Sequence, residues 1–333
     1  MGHGIMSFDK VVSRRSTEWH GLAIHIDHDM NVDEAAKESG LDSWNPVEQD
    51  LFVGEKKIDT HKVITRSDNS FPLGVVGKNY NPLSNKDFLE FITSLTEDRN
   101  AAQIESMGSF YNGKDIIATV TIPREYRIKN DEMRPYLLLS NNNAGERKFT
   151  LGYCATRVIC NNTHRVALRE MRGHNNVEIK HTKNSKIRME EVRKILDIGY
   201  RSFDTMQEEM VRLIAETSSE KINRFYEMVV PLPEKPVDAT PKAIKAWNNR
   251  VLKAKDLRAE MRRRMLTECD ILGQTPNLWL AYNSYTHNKQ HFGRVNNEDD
   301  DRFARVYSIN FGNIGASCEE AYNIAFGMLN LEI

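Results

Sequence analysis

Apolar and polar residues alternate through the first half of the chain, and apolar residues recur every three to four positions through the second. This pattern predicts a sheet-rich part followed by a helical part. Tyr136–Ser140 is a short apolar run, and Asn141, Asn142, Asn143 and Gly145 after it tolerate left-handed turns. From Phe149 to Cys160, apolar Phe149, Leu151, Tyr153 and Ala155 alternate with Thr150, Gly152, Cys154 and Thr156, the period of a second strand. Asn161 and Asn162 break that run. Thr163 then stands as the cap of an expected helix through Val166, Ala167, Leu168 and Met171. Upstream, Lys62–Arg66 and Leu73–Gly77 are strands around the polar turn 67–70. Gln103–Phe110 and Asp115–Pro123 are strands joined at Tyr111-Asn112-Gly113-Lys114. Asn31 or Asp33 starts a short helix ending at Gly40, and Asn85 or Asp87 starts another carrying Phe88, Leu89, Ile92 and Leu95.

Past residue 180 the texture is helical. Met189, Val192, Ile195, Leu196, Ile198, Phe203, Met206, Met210 and Leu213 give Ile187–Thr217 one apolar side. Homo-oligomerisation is expected through this helix. Ser219–Met228 is a short helix, Lys242–Glu268 a highly charged one and Glu319–Leu329 a closing one, while Asn277–His287 is helical or extended. The fold class is α+β: an antiparallel sheet packed with helices, followed by a mainly helical C-terminal region. It divides into an N-terminal lead-in segment (1–50), an α+β core (50–185) and a helical region (186–333) with a Pro-rich break at 229–241.

A chain of 333 residues buries a substantial core. Its formal net charge of −1 makes any polyanion signal local rather than global. Cys154, Cys160, Cys269 and Cys318 form no CxxC pair, as in a protein with reduced thiols. Without an apolar leader or a run of about 20 apolar residues, the expectation is a cytoplasmic protein that does not enter membranes.

Cations concentrate in two places. The first holds Arg147, Lys148, Arg157, Arg165, Arg169, Arg172, Lys180, Lys183, Lys186, Arg188, Arg193 and Lys194, with His164 among them. The second holds Lys242, Lys245, Arg250, Lys253, Lys255, Arg258, Arg262, Arg263 and Arg264, against only Asp256 and Glu260. Phosphate backbones are bound by many such point contacts, and single strands also need aromatic faces. Tyr136, Phe149 and Tyr153 accompany the first group and Trp247 the second. The ordinary alternatives are solvated helix faces and core aromatics.

Other chemistry finds less support. His20, His25 and His28 match no zinc spacing; His287 and His291 lack the glutamate of HExxH; Glu298–Asp301 reads as a solvated acidic loop. There is no GxxxxGK[ST], GxGxxG or GxSxG. Cys154 or Cys160 with His164 reads as strand packing before it reads as a nucleophile and base. No catalytic residue, metal or cofactor is expected.

Several motifs occur together: Trp19-His20-Gly21-Leu22, Ala35-Ala36 with Gly40-Leu41-Asp42, Gly74–Gly77 followed by Tyr80-Asn81-Pro82-Leu83, Pro135–Asn141, Thr156–Thr163 and Leu280–His287. In this order they resemble the phage/plasmid-like proteins grouped as domain of unknown function 932. The chain departs from them at Asn162, at His164 and in its basic 242–264 helix. The resemblance implies a mobile-element origin and supplies neither an activity nor catalytic residues. In broad design, phage single-strand annealing proteins of the RecT and Erf kinds are similar, binding single-stranded DNA without ATP as oligomers.

The leading expectation is therefore a nucleic-acid-binding protein that anneals single-stranded DNA and is a homo-oligomer. Its contacts are Arg147, Lys148, Tyr153, Arg157, His164, Arg165, Arg169, Arg172, Lys253, Arg258 and Arg262. The alternatives are a host-interaction or anti-defence protein that binds a protein partner, and a metal-dependent enzyme using the His- and Asp-rich loops.

Overall fold

The computed structural model describes residues 10–14, 23–96, 103–122, 126–157, 163–165, 176–179, 189–237, 240–294, 305, 308–309 and 312–331. Alternation makes the large sheet. Its strands are β1 (Val11–Ser13), β2 (Ile24–His25), β6 (Gln103–Phe110), β7 (Asp115–Thr121), β8 (Tyr126–Ile128), β9 (Asp131–Asn142), β10 (Phe149–Arg157), β11 (Thr163–Arg165) and β12 (Asn176–Ile179). Among these the order is β11-β10-β9-β7-β6-β1-β2, with β12 paired to β10 and β8 to β9. A separate three-stranded sheet runs β3 (Pro46–Val53), β4 (Lys56–Arg66), β5 (Pro72–Gly77).

One face of the large sheet is apolar. Ile116, Ala118, Val120, Leu137, Leu139, Leu151 and Tyr153 enter the main core from it. The other face carries a second, smaller apolar cluster of Val11, Phe110 and Ile117 beside polar side chains, among them Ser106 and Thr119, whose hydroxyls meet at 2.6 Å. Helix α3 (Met189–Ala215) contributes Phe203 to the apolar side, against Tyr126 and Tyr153. The approach is close because residue 199 is glycine: a Cβ there would sit 2.4 Å from Tyr153 Cε1. On α2 (Asn85–Thr96), Phe88 and Phe91 meet Phe149 edge-on. Helix α1 (Val32–Ser39) starts at the Asn31 cap and ends at left-handed Gly40.

The helical region shares this core. Helices α4 (Ser219–Val229), α5 (Pro241–Leu272), α6 (Leu278–Phe292) and α7 (Asn313–Met328) follow α3. Every residue of α6 from Leu278 to Thr286 is buried, so it forms the axis of the group. Trp279 Nε1 donates to the fully buried Asp131 at the start of β9 at 2.7 Å, and Asn130 Nδ2 donates to Leu272 O at 3.0 Å. These bonds tie the sheet to the helices. Among the described residues no helix is long and apolar enough to cross a membrane.

One expectation changes. Thr163–Arg165 is a strand, antiparallel to Cys154–Thr156, rather than the start of a helix. Ladder bonds to β10 outweigh the local capping signal there, and residues 166–171 lie outside the described residues. The apolar side of α3 is also occupied. Phe203, Met206, Met210, Leu213 and Ile214 are buried in the shared core.

Candidate nucleic-acid interface

The β9–β10 hairpin is locked by its own polar residues. Asn142 Nδ2 donates to Asp115 Oδ1 at 2.8 Å, and Arg147 forms an ion pair with the same carboxylate. Asn142 Oδ1 accepts from Glu146 N, and the Tyr80 hydroxyl donates to Asn142 O. Burial pushes the Tyr80 hydroxyl up to about 12. Asn141 Nδ2 donates to Asn143 Oδ1, and Asn143 Nδ2 to Gly113 O at 2.8 Å. All three asparagines are buried.

Gly113 belongs to a left-handed turn with Tyr111 and Asn112, with φ of 53°, 62° and 89° from 111 to 113. Trp44 approaches so closely that a Cβ on Gly113 would lie 2.5 Å from the indole. The Arg66 guanidinium lies over the Trp44 ring at 4.2 Å, donates to Asn112 O and pairs with Asp68. It holds the Asp68 carboxyl below the usual carboxylate range. The corner thus joins the two sheets through a network of polar contacts, as buried polar groups favour, while the buried Asn141 Oδ1 accepts no hydrogen bond from a described residue.

This changes the role of three hairpin candidates. Arg147 is held by buried Asp115, while Lys148 is exposed. Tyr153 is fully buried, with its hydroxyl pushed up by desolvation, and no base can stack on it. The alternation that made it a strand residue turned it toward α3. Tyr136 is half-buried on the opposite face, in register with Thr121 and Cys154. Arg157 occupies the register position opposite Met133, His164 opposite Ala155 and Arg165 opposite Cys154. Arg169 and Arg172 lie outside the described residues.

Helix α5 divides into two halves. Thr240 caps it, Pro241 fits its first turn and left-handed Gly273 ends it. Residues 247, 251, 254, 258, 261, 265, 268 and 272 recur at alternating intervals of four and three and form one stripe. Toward the C-terminal end this stripe is buried at Met261, Met265, Glu268 and Leu272. Residues 241–256 include no buried residue. They make about 24 Å of helix beyond the core at 1.5 Å per residue.

The cations divide in the same way. Arg258 Nε donates to Val230 O at 2.9 Å and Nη2 to Glu227 O at 3.4 Å, closing the C-terminal end of α4. Arg262 hydrogen-bonds Asn223 and stands 5.2 Å from the Tyr226 ring centroid. Arg264 pairs with the fully buried Glu268 at 3.0 Å. Arg258 and Arg262 are therefore structural contacts rather than free phosphate contacts. Position 258 shares the stripe with Met261 and Met265.

Lys242, Lys245, Arg250, Lys253 and Lys255 are all exposed. None of the five is joined in an ion pair to a described residue. Residues 242, 245, 249 and 253 repeat at helical spacing on the side opposite the stripe. Over residues 241–255 there are five cations and no carboxylate.

The sequence model of the domain of unknown function DUF932 matches residues 72–309. The chain belongs to the DUF932 family. That span holds the β9–β10 hairpin with Asp115 and Gly113, all of α5 and every quoted motif from Gly74 onward, while Trp44, Arg66 and Asp68 precede it. No curated protein and no solved structure matches the chain.

Proposed function

We propose that this DUF932 protein, of mobile-element origin and cytoplasmic, binds nucleic acid through the outward face of residues 241–255, with single-stranded DNA as its substrate and ATP-independent annealing as its activity. The observation that carries the reading is five exposed cations without internal partners on a helix segment clear of the core, three of them (Lys242, Lys245 and Lys253) on the side opposite the stripe. An unpaired cation on such a face exchanges condensed counterions for phosphate at little structural cost. Lys148 on the hairpin, Arg157 on β10 and Arg165 on β11 are further contacts in the same proposal.

The test is fluorescence anisotropy with labelled single-stranded and duplex oligonucleotides across a salt series. Sequence-tolerant binding that weakens steeply with salt is the expected result, and replacing Arg157, Arg165 and Arg169 with Ala weakens it for every sequence. No binding at low salt removes the reading and turns attention to a protein partner. For the metal-dependent alternative, the described residues contain no group of three or more His, Cys, Asp or Glu side chains arranged to hold a metal ion.

A further inference from the structure

We infer that α5 joins two copies of this chain: its outward face pairs antiparallel with the same face of a second copy, centred on Ala259. The inference stands independently of the nucleic-acid reading.

The face opposite the buried stripe has a repeat of its own. Positions 245, 249, 252, 256, 259, 263, 266 and 270 recur at strictly alternating intervals of four and three, the spacing of a seam between two helices. All of them are exposed. The apolar members stand seven residues apart. Leu252 is 59% exposed and Leu266 50%, with the small Ala259 midway between them.

The charged members point to the occupant. Along the seam they alternate in sign: Lys245, Asp256, Arg263, Asp270. Reversing the helix about Ala259 sets Leu252 of each copy against Leu266 of the other. It also leaves the two Ala259 side chains facing, where a small residue lets helices approach closely. The same reversal brings Asp256 to within one residue of Arg263 of the second copy. Asp270 comes to within three residues of Lys245, about 4.5 Å along the axis at 1.5 Å per residue. Each charge on the seam therefore meets its opposite, whereas a parallel pairing in register would set each against its own kind. Lys255 and Glu260 flank the seam, and Glu260 holds its own Arg263 at 3.4 Å. Exposed ion pairs add little affinity; here they fix direction and register, while the leucines supply the burial. Such a contact is isologous and closes at two copies. Lys242 and Lys253 stand about a quarter turn off the seam. The two-fold axis places those of both copies on the same side, so the pairing leaves them open.

The experiment uses the full chain. Sedimentation velocity across a dilution series is expected to show twice the chain mass at the concentrated end. The double variant Leu252→Asp, Leu266→Asp is expected to weaken self-association at least roughly a hundredfold, because four leucine side chains leave the seam. Its urea midpoint should match that of the unaltered chain, since both residues are exposed. Register is read by oxidation of introduced cysteines with diamide. Ala259→Cys is expected to give a disulfide-linked dimer, because the two positions fall within bridging distance. Leu252→Cys alone is not, because its two copies stand about 21 Å apart along the axis, but mixed with Leu266→Cys it is. The unaltered chain, whose described cysteines are buried, is the reference. These bridges are read even if the double variant fails to fold. A monomer at every concentration, a dimer that survives the double variant, or a dimer that gives no Ala259→Cys bridge overturns the inference. Bridging by Leu252→Cys alone as strong as in the mixture overturns the antiparallel direction and the inference with it.

Discussion

Lys253 and Arg258 are five residues apart on one helix, and the fold treats their charges in opposite ways. Arg258 sits on the inner stripe of α5, where its guanidinium closes the last carbonyls of α4. Lys253 lies past the edge of the core, exposed and without an internal counter-ion among the described residues. Side-chain type therefore says little about whether a cation is structural or available. Position relative to the buried stripe decides it, because a donor at the margin of the core must satisfy nearby carbonyls, whereas an exposed one is satisfied by water.

The largest effect should come from the packed half. Met261→Ala removes a buried side chain and should cost about 2–5 kcal/mol of stability, read from urea unfolding. A cost under about 0.5 kcal/mol, the scale of surface substitutions, would abolish the contrast between the halves. Arg258→Ala should be intermediate, losing about 0.5–1.5 kcal/mol for each hydrogen bond that water does not replace, with an unchanged salt slope of oligonucleotide binding. If that slope falls with Arg258, the residue reaches the ligand after all.

The triple variant Lys242→Ala, Lys245→Ala, Lys253→Ala should reverse this pattern. Stability should stay within about 0.5 kcal/mol, while the slope of log K against log salt on single strands should flatten by about 2, at roughly 0.7 per phosphate contact. An unchanged slope would remove the arm from the interface.

A smaller effect concerns acid. Arg66 lowers the Asp68 carboxyl and Lys221 lowers that of Glu216. Each pair contributes stability above the ordinary carboxylate range, near pH 4. That contribution is lost as pH falls through the lowered folded-state value. Urea midpoints measured from pH 6 down to pH 3 should fall, and Asp68→Asn should shallow the decline. An identical profile in that variant would mean that Arg66 is held by Trp44 and Asn112 O without help from Asp68.

Much of the fold was legible in the residue pattern. The alternation at Phe149–Ala155, the caps at Asn31 and Gly40 and the apolar spacing of α2 and α3 all describe local geometry. The Thr163 helix was not legible, because a cap signal of about 1 kcal/mol competes with strand pairing to residues that the local sequence does not identify as neighbours. The asparagine run was read as a turn; its bonds to Asp115 and Gly113, and that of Arg147 to the same Asp115, join groups some 30 residues apart. The candidate site was half legible. The charge run of α5 stood out in the sequence, but assigning Arg258 and Arg262 to the protein and Lys253 to solvent required knowing where the core ends.

By itself the sequence determined what short-range physics controls. Strand period, helix period, capping residues, family membership and the excess of cations over 241–255 all belong to neighbouring positions on one segment. Tertiary structure alone decided which face of each element is covered. It turned Tyr153 onto Gly199 and Phe203, placed Asp131 under Trp279, filled the apolar side of α3 and left the first half of α5 beyond the core. Burial is a property of segments meeting across long chain separations, and burial determines whether a tyrosine can stack, whether an arginine is free and where a phosphate backbone finds unpaired charge.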